Sequence, residues 1–399
     1  MNKSGTAWRA QTVRRANLST VLAAVRQGGQ ASRSQLVSAT GLTRSAIGGL
    51  IAELSELGLV RELGAPSDGS PGRPSQMARI DEVGVGALAI DIGVDGITVA
   101  IVGLDGSVVK SRRLERSRTA VPVAETVRDV VALARAMGVD GSTVDGRRLV
   151  GVGVAIAGLV ADATNVVARA PNMGWVDVPL GSVLADELAL DLPVFVGNDG
   201  DVGALAEARF GAAVGIADMV YVSAEVGIGG GVVVGGRRVA GRSGFAGEIG
   251  HMAVSPDGGE CRCGSHGCWE TEIGEMALLA RGGREPTGGA PAIEEMREAA
   301  AAGEAAALAA FDEHARWMGI GISVLVNVFD PEVVVLGGFL ASVLPLIDER
   351  MRTEMSRRVV LGESRTVELV PGALGDDAGV IGAAEMAFEP LVDDPLLAR

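Results

Sequence analysis

The chain has 399 residues, 48% hydrophobic and 21% charged, so it is long enough for two or three domains and too apolar for wholesale disorder. Its longest uncharged apolar run, Val333 to Ile347, spans 15 residues, falls short of a bilayer, and the N-terminal residues do not read as a secretory signal. Three cysteines do not make a disulfide framework, and the net charge of −15 is uneven: residues 1–80 carry ten Lys or Arg against four acids, the rest 25 against 46.

A basic head on an acidic body lets the head neutralise phosphates while the body repels them. Leu18, Val21, Leu22 and Val25 recur at helical spacing. A short second helix fits Ser34 to Thr40, anchored by Leu36 and Val37 and broken by Gly41. Thr43 can cap a third helix that buries Ile47, Leu50, Ile51, Leu54 and Leu57 and ends at Gly58. Its other side offers Arg44 and Ser45, then Gly48 and Gly49, which allow close approach to DNA. Leu59 to Arg61 starts an extended piece, Pro66 to Pro74 is rich in turn residues, and Met77 to Ile80 returns as a strand. Residues 1–80 thus read as a winged helix-turn-helix, its third helix the reader. The candidate DNA contacts are Arg33, Thr43, Arg44, Ser45 and, in the wing, Arg73. A three-helix packing or dimerisation domain is the competing reading.

Residues 84–399 read as two related α/β lobes. Ala87 to Ile90 is apolar, Asp91-Ile92-Gly93 interrupts it, Ile97 to Val102 follows, Asp105-Gly106 turns, and Ser107 to Lys110 opens a third strand. The order recurs in Met219 to Val222, a loop through Gly227, Gly229, Gly230 and Gly231, then Val232 to Val234, Gly235-Gly236 and Arg237 to Ala240. Helical sequence and a buried strand follow each set: Val123 to Met137 with Val150 to Ile156, and Ile293 to Val328 with Val333 to Leu336. The cleft between such lobes is the natural ligand site. Paired glycine loops of this kind hold nucleotide phosphates. Here Asp95 and Glu225 would set carboxylates against them, which argues against bound ATP and Mg²⁺.

All three cysteines lie in the stretch His251-x9-Cys261-x-Cys263-x4-Cys268. Three thiolates and an imidazole form the tetrahedral set that zinc prefers, with no position left for a reacting water. The expectation is one structural Zn²⁺ per chain in a loop at 251–268, with His266 as an alternative ligand and His314 a packing or surface residue. Glu248 and Glu270 flank the motif, and Asn198-Asp199 follow the strand Val194 to Val196. Fixed carboxylates, amides and imidazoles match sugar hydroxyls, and Asp199 could accept a hydroxyl proton in line with a phosphoryl donor.

Pro171-Asn172-Met173-Gly174-Trp175, Asn198-Asp199, Gly247-Glu248-Ile249-Gly250-His251 and Cys261-Arg262-Cys263-Gly264 through Gly267-Cys268-Trp269-Glu270 together resemble the ROK family of bacterial repressors and sugar kinases. The resemblance covers nearly the whole chain. It implies an actin-like ATPase fold for the body and sugar contact by Asn172, Asn198, Asp199, Glu248, His251 and Glu270. It implies metal ligation by His251 and the three cysteines, with Asp199 at the catalytic-base position. The first phosphate loop departs from the family pattern, reading Asp91-Ile92-Gly93-Val94-Asp95-Gly96, and Glu225-Val226-Gly227 stands in the second. The resulting expectation is a sugar-responsive regulator, most simply a cytoplasmic repressor of carbohydrate-metabolism genes. Its partners would be a double-stranded DNA operator and a sugar or sugar-phosphate effector. It would act as a homodimer, with a tetramer as the alternative, and without a membrane partner. No catalytic residue is expected, Asp199 being the base if kinase activity is retained. A sugar kinase carrying a DNA-binding head is the rival.

Overall fold

The computed structural model describes residues 3–63, 76–118, 120–360, 362–364 and 367–398. The head comprises α1 (Lys3–Gly28), β1 (Gln30–Ser32), α2 (Arg33–Thr40), α3 (Arg44–Glu56), β2 (Val60–Leu63) and β3 (Met77–Ile80). Leu18, Val21, Leu22 and Val25 of α1 are buried against Leu36 of α2 and Ile47, Ile51 and Leu54 of α3. Ser32 caps α2 through a reciprocal box with Gln35, and Gly41, at φ 70°, ends it. Thr43 caps α3 by accepting from the Ala46 amide at 3.3 Å. α1 begins well before its apolar stripe, because Gln11 to Ala16 are exposed and carry no buried periodicity. β1 is a three-residue strand that shows no pattern in sequence, yet it completes a sheet of order β1-β3-β2. The turn-rich segment Pro66 to Pro74, with Arg73, lies outside the described residues; the strands that flank it, β2 and β3, pair antiparallel.

The first lobe contains β4 (Val85–Ile92), β5 (Gly96–Gly103), β6 (Val108–Glu115), α4 (Val123–Ala136), β7 (Thr143–Val144) and β8 (Arg147–Ile156). A small sheet follows from β9 (Leu159–Ala161), β10 (Val166–Ala170) and β11 (Trp175–Val178), then α5 (Leu180–Leu188) and β12 (Val194–Asn198). α6 (Asp199–Phe210) leads to the second lobe. There β13 (Met219–Ala224), β14 (Ile228–Val234) and β15 (Arg237–Arg238) precede α7 (Trp269–Ile273), α8 (Glu275–Arg281), α9 (Gly289–Ala301) and α10 (Ala305–Phe329). The chain closes with β16 (Val333–Gly338), α11 (Phe339–Ser356), β17 (Glu368–Pro371) and α12 (Ala378–Asp393). The helical sequence Ile293 to Val328 falls in two helices, α9 and α10, parted at Gly303 with φ 87°.

The two main sheets repeat one plan. Their orders are β6-β5-β4-β8-β12 and β15-β14-β13-β16-β17. In each, the first three strands are antiparallel neighbours and the last two join in parallel. The helices that follow the sheets are exchanged: α6 packs on β13 and β14 of the second lobe, and α12 packs on β4 and β8 of the first. Gly229, Gly230 and Gly231, expected in a loop, lie in β14. A side chain at Gly231 would overlap the Gly200 carbonyl, so their absence of side chains lets α6 lie against the strand. The head shares a core with the first lobe, in which Leu18 and Val25 belong with Val85, Phe388 and Leu391. Among the described residues no helix is long and apolar enough to cross a membrane.

Candidate ligand cleft, metal centre and DNA-facing helix

A cavity of about 350 Å³ opens between the lobes, and Asn172, Asn198, Asp199, Glu248, His251 and Glu270 all line it. The fold delivers each from a different element. Asn198 ends β12 and caps α6, accepting from the amides of Gly200 at 2.9 Å and Asp201 at 3.2 Å while its amide donates to the Gly158 carbonyl at 3.0 Å. That holds Asp199 at the first position of α6, facing the cleft. Glu270, in the first turn of α7, accepts from the Ile228 amide at 3.0 Å, which anchors one oxygen to β14. Asn172 accepts from Arg262 Nη1 at 2.8 Å, a bond across the cleft between the lobes.

The carboxyls crowd one another. Restricted solvation raises Asp199 to about 7, with Glu225 and then Glu248 adding like charge against the opposing Gly200 amide. Asp91 is also raised to about 7, by burial first and then by Asp199, with Arg113 opposing. Glu248 rises to about 7 through burial, Asp201 and Glu270. Glu225, whose side chain is open to the cleft, is raised by the protein walls around it and by Asp91 and Asp95.

His251, Cys261, Cys263 and Cys268 form one cluster whose ligand atoms lie within 4.8 Å of one another. Cys263 Sγ and Cys268 Sγ are 3.7 Å apart, as are Cys261 Sγ and His251 Nδ1. A tetrahedral zinc with Zn–S bonds of about 2.3 Å separates its sulfurs by about 3.8 Å, so donor set and spacing fit that ion. His251 turns Nδ1 toward the cysteines, and its Nε2 lies 3.8 Å from Glu248 on the cleft side. One ring can therefore serve both a metal and a ligand. His266 is exposed and outside the cluster. His314 is fully buried beside Phe339, neither ring nitrogen has a hydrogen-bond partner among the described residues, and burial pushes its pKa down to about 3.

On the head, Thr43, Arg44 and Ser45 are exposed at the start of α3, and Arg44 forms no salt bridge with any described residue. Arg33 is placed differently. It is half-buried and ion-paired with Glu62 of β2 at 2.6 Å, which ties α2 to the sheet. Arg262 and Arg169 are among the cleft-lining residues that sequence reasoning missed. The first sits inside the Cys-x-Cys spacing, where its position between two ligands was the available signal.

The ROK family profile matches residues 87–389. The xylose repressor of Bacillus subtilis is 28% identical over 96% of this chain and 97% of its own length. A solved ROK family transcriptional regulator, a homologue of the E. coli Mlc protein, superposes with TM-score 0.78 at 25% identity, covering 97% of this chain and 98% of that one. A ROK glucokinase from Streptomyces griseus, solved with glucose and AMPPNP, superposes with TM-score 0.66 at 30% identity, covering 75% of this chain and 98% of its own. This nucleotide-bound relative overturns the expectation that argues against ATP and Mg²⁺. The physical objection also fails in part. Asp95 does not line the cavity; its carboxylate turns to Arg113 at 3.2 Å and Arg118 at 3.7 Å, which offset its charge. The matched profile spans most of the chain, the lobes repeat one sheet plan, and the Cys-rich loop abuts the cleft: this chain belongs to the ROK family.

Proposed function

We propose that the protein is a sugar-responsive, DNA-binding transcriptional regulator, most simply a repressor of carbohydrate-metabolism genes. The observation that carries this reading is coverage. The repressor relative matches head and body together, whereas the glucokinase matches 75% of the chain. The head supplies an exposed Arg44, without an ion-pair partner among the described residues, at the start of its third helix. The cleft supplies the six residues suited to sugar hydroxyls.

In this reading two chains form a symmetric dimer, and their α3 helices enter successive major grooves of a palindromic site. Sugar bridges Asn172, Asn198 and Asp199 of one side and Glu248, His251 and Glu270 of the other, and so favours closed lobes. Release of DNA then requires that sugar bind the weak-binding state more tightly than the other. A thousandfold change in DNA affinity needs about 4 kcal/mol of coupling. The metal cluster, in this reading, holds His251 and Glu270 in place and takes no part in a reaction.

The test is selection of genomic fragments by purified full-length protein, repeated across free and phosphorylated sugars. Fragments enriched at moderate salt and released by one sugar are the expected result. No enrichment at moderate salt would sink the reading. The second reading, a sugar kinase with a DNA-binding head, is favoured by Asp199 in the cleft at the position of a catalytic base. Sugar-dependent release of ADP from ATP is its signature.

A further inference from the structure

Arg26 stands in the last turn of α1, yet its side chain is only 2% exposed. Its guanidinium meets three parts of the body: α12, the residue after β5 and the end of α6. Nη2 is ion-paired with Glu385 of α12, itself 9% exposed. Nε donates to the Leu104 carbonyl just after β5, at 3.0 Å. The rings of Phe210, the last residue of α6, and Phe388 of α12 each lie 5.8 Å from the guanidinium carbon. The second Glu385 oxygen takes Arg209 of α6 at 3.4 Å.

The other ends of those two helices are at the ligand cleft. α6 begins with Asp199, and α12 begins with Ala378 and Gly379, which line the cavity. A methyl group at Gly379 would run into the Asp91 carboxylate. The helices are also locked together. A side chain at Gly382 of α12 would overlap the Val202 carbonyl of α6, so they touch backbone to backbone. Glu207 of α6 accepts from the amides of Ala373 and Leu374, both at 3.1 Å, in the segment that leads into α12. Close-packed helices transmit displacement and do not absorb it. α6 has 12 residues and so is roughly 18 Å long, and a tilt of about 5° at the cleft moves its far end by about 1.5 Å. That is enough to break a hydrogen bond.

A buried ion pair is a weak device for stability, since apolar residues of similar volume serve as well. Its distinct property is geometric: a planar donor with two aimed partners tolerates one arrangement. We propose that Arg26 is the positioning residue through which the cleft sets the attitude of the DNA-facing head. Lobe movement reaches α1 at this guanidinium, by way of α6 and α12. The inference rests on the reading of the cleft as an effector site, and it names how that site would reach DNA.

The test compares wild type, Arg26→Met and Arg26→Lys as full-length protein. Three quantities are read: sugar affinity by calorimetry, fragment affinity with and without sugar, and hydrogen exchange across Leu18 to Arg26. Arg26→Met keeps the packing and should bind sugar within about threefold of wild type. It should still bind the enriched fragment. The ratio of its fragment affinities without and with sugar should fall at least tenfold, toward one. Arg26→Lys should restore part of that ratio. A wild-type ratio in Arg26→Met overturns the proposal. The exchange arm decides it without DNA or sugar. Gly379→Ala presses on Asp91 at the cleft end of α12 and should change protection of Leu18 to Arg26 in the wild-type background but not in Arg26→Met. Equal responses in both backgrounds overturn the proposal. A wild type that enriches no fragment instead removes the regulator reading and leaves the exchange result standing.

Discussion

Asp91 and Asp199 both line the cleft; Asp199 raises the cost of ionising Asp91, and Glu225 and Glu248 raise that of Asp199. Both carboxyls are held at about 7, with burial the larger cause. An acid whose pKa is higher folded than unfolded stabilises the fold only while it is protonated. That contribution is whole below about 4 and is lost as pH rises through about 7. Asp91→Asn removes the titration and should raise the melting temperature at pH 8 by roughly 2–6 °C. Wild type and variant should converge as pH falls toward 4. An equal gain at every pH would mean that the Asp91 carboxyl does not titrate in this range. Arg44 makes a different kind of prediction, because it is exposed and unpaired among the described residues. Arg44→Ala should weaken operator binding by about 1–3 kcal/mol with relaxed base preference if the guanidinium reads a base edge. It should weaken all fragments alike, and lower the salt slope by about 1, if it meets phosphate. Unchanged binding on both counts would remove Arg44 from the interface. Arg33→Gln, by contrast, breaks the half-buried pair with Glu62 and should cost stability of 1 kcal/mol or less.

At the scale of elements, the Cys-rich loop is a short, irregular piece between β15 and α7 with few strands or helices of its own. We propose that its order depends on a metal held by the His251, Cys261, Cys263 and Cys268 cluster. Chelation, or Cys268→Ser, should remove about one zinc per chain by metal analysis and weaken sugar binding at least tenfold, since His251 and Glu270 lose their support. The head, 150 residues or more away in sequence, should keep its fragment affinity in the absence of sugar. Retained sugar affinity after complete metal loss would separate the loop from the site. This loop was the most legible part of the chain, because ligand spacing is local and cysteines are few. The doubled hairpins were legible for the same reason: glycine turns and apolar runs repeat at short range. What stayed hidden is long-range. Asp95 reads as a hostile anion in its loop until Arg113 and Arg118 are seen to draw it away. Arg33 reads as a free cation until Glu62 folds against it. Arg26 and Glu385 are 359 positions apart, and no periodicity links them. β1 is too short, and the first half of α1 too polar, for any pattern to announce them.

The whole molecule is two copies of one sheet plan joined by exchanged helices, with a head fused to the first copy. In such a body the angle between the lobes is the coordinate on which a ligand in the cleft would act, and several side chains bridge the lobes. Arg118 of the first lobe pairs with Glu275 of the second at 2.5 Å. Arg262 of the second reaches Asn172 of the first at 2.8 Å, and Arg238 ties Asp162 of the first lobe to Asp201 at the start of α6. Bonds that bridge the lobes favour this arrangement of them, so a ligand that binds the same arrangement is helped by each of them. Arg118→Ala leaves the ligand contacts untouched but leaves Glu275, which is 3% exposed, with the Gly289 amide at 3.2 Å as its remaining donor among the bonds described. Because Arg118 is partly open to solvent, the loss should be on the order of 1 kcal/mol, about fivefold in sugar affinity. Solution scattering should show a larger radius of gyration for the unliganded variant, and saturating sugar should bring it back to that of wild type. A variant with weaker sugar binding and an unchanged radius would place Arg118 at the ligand itself, and the lobe angle would then cease to explain how cleft and head communicate.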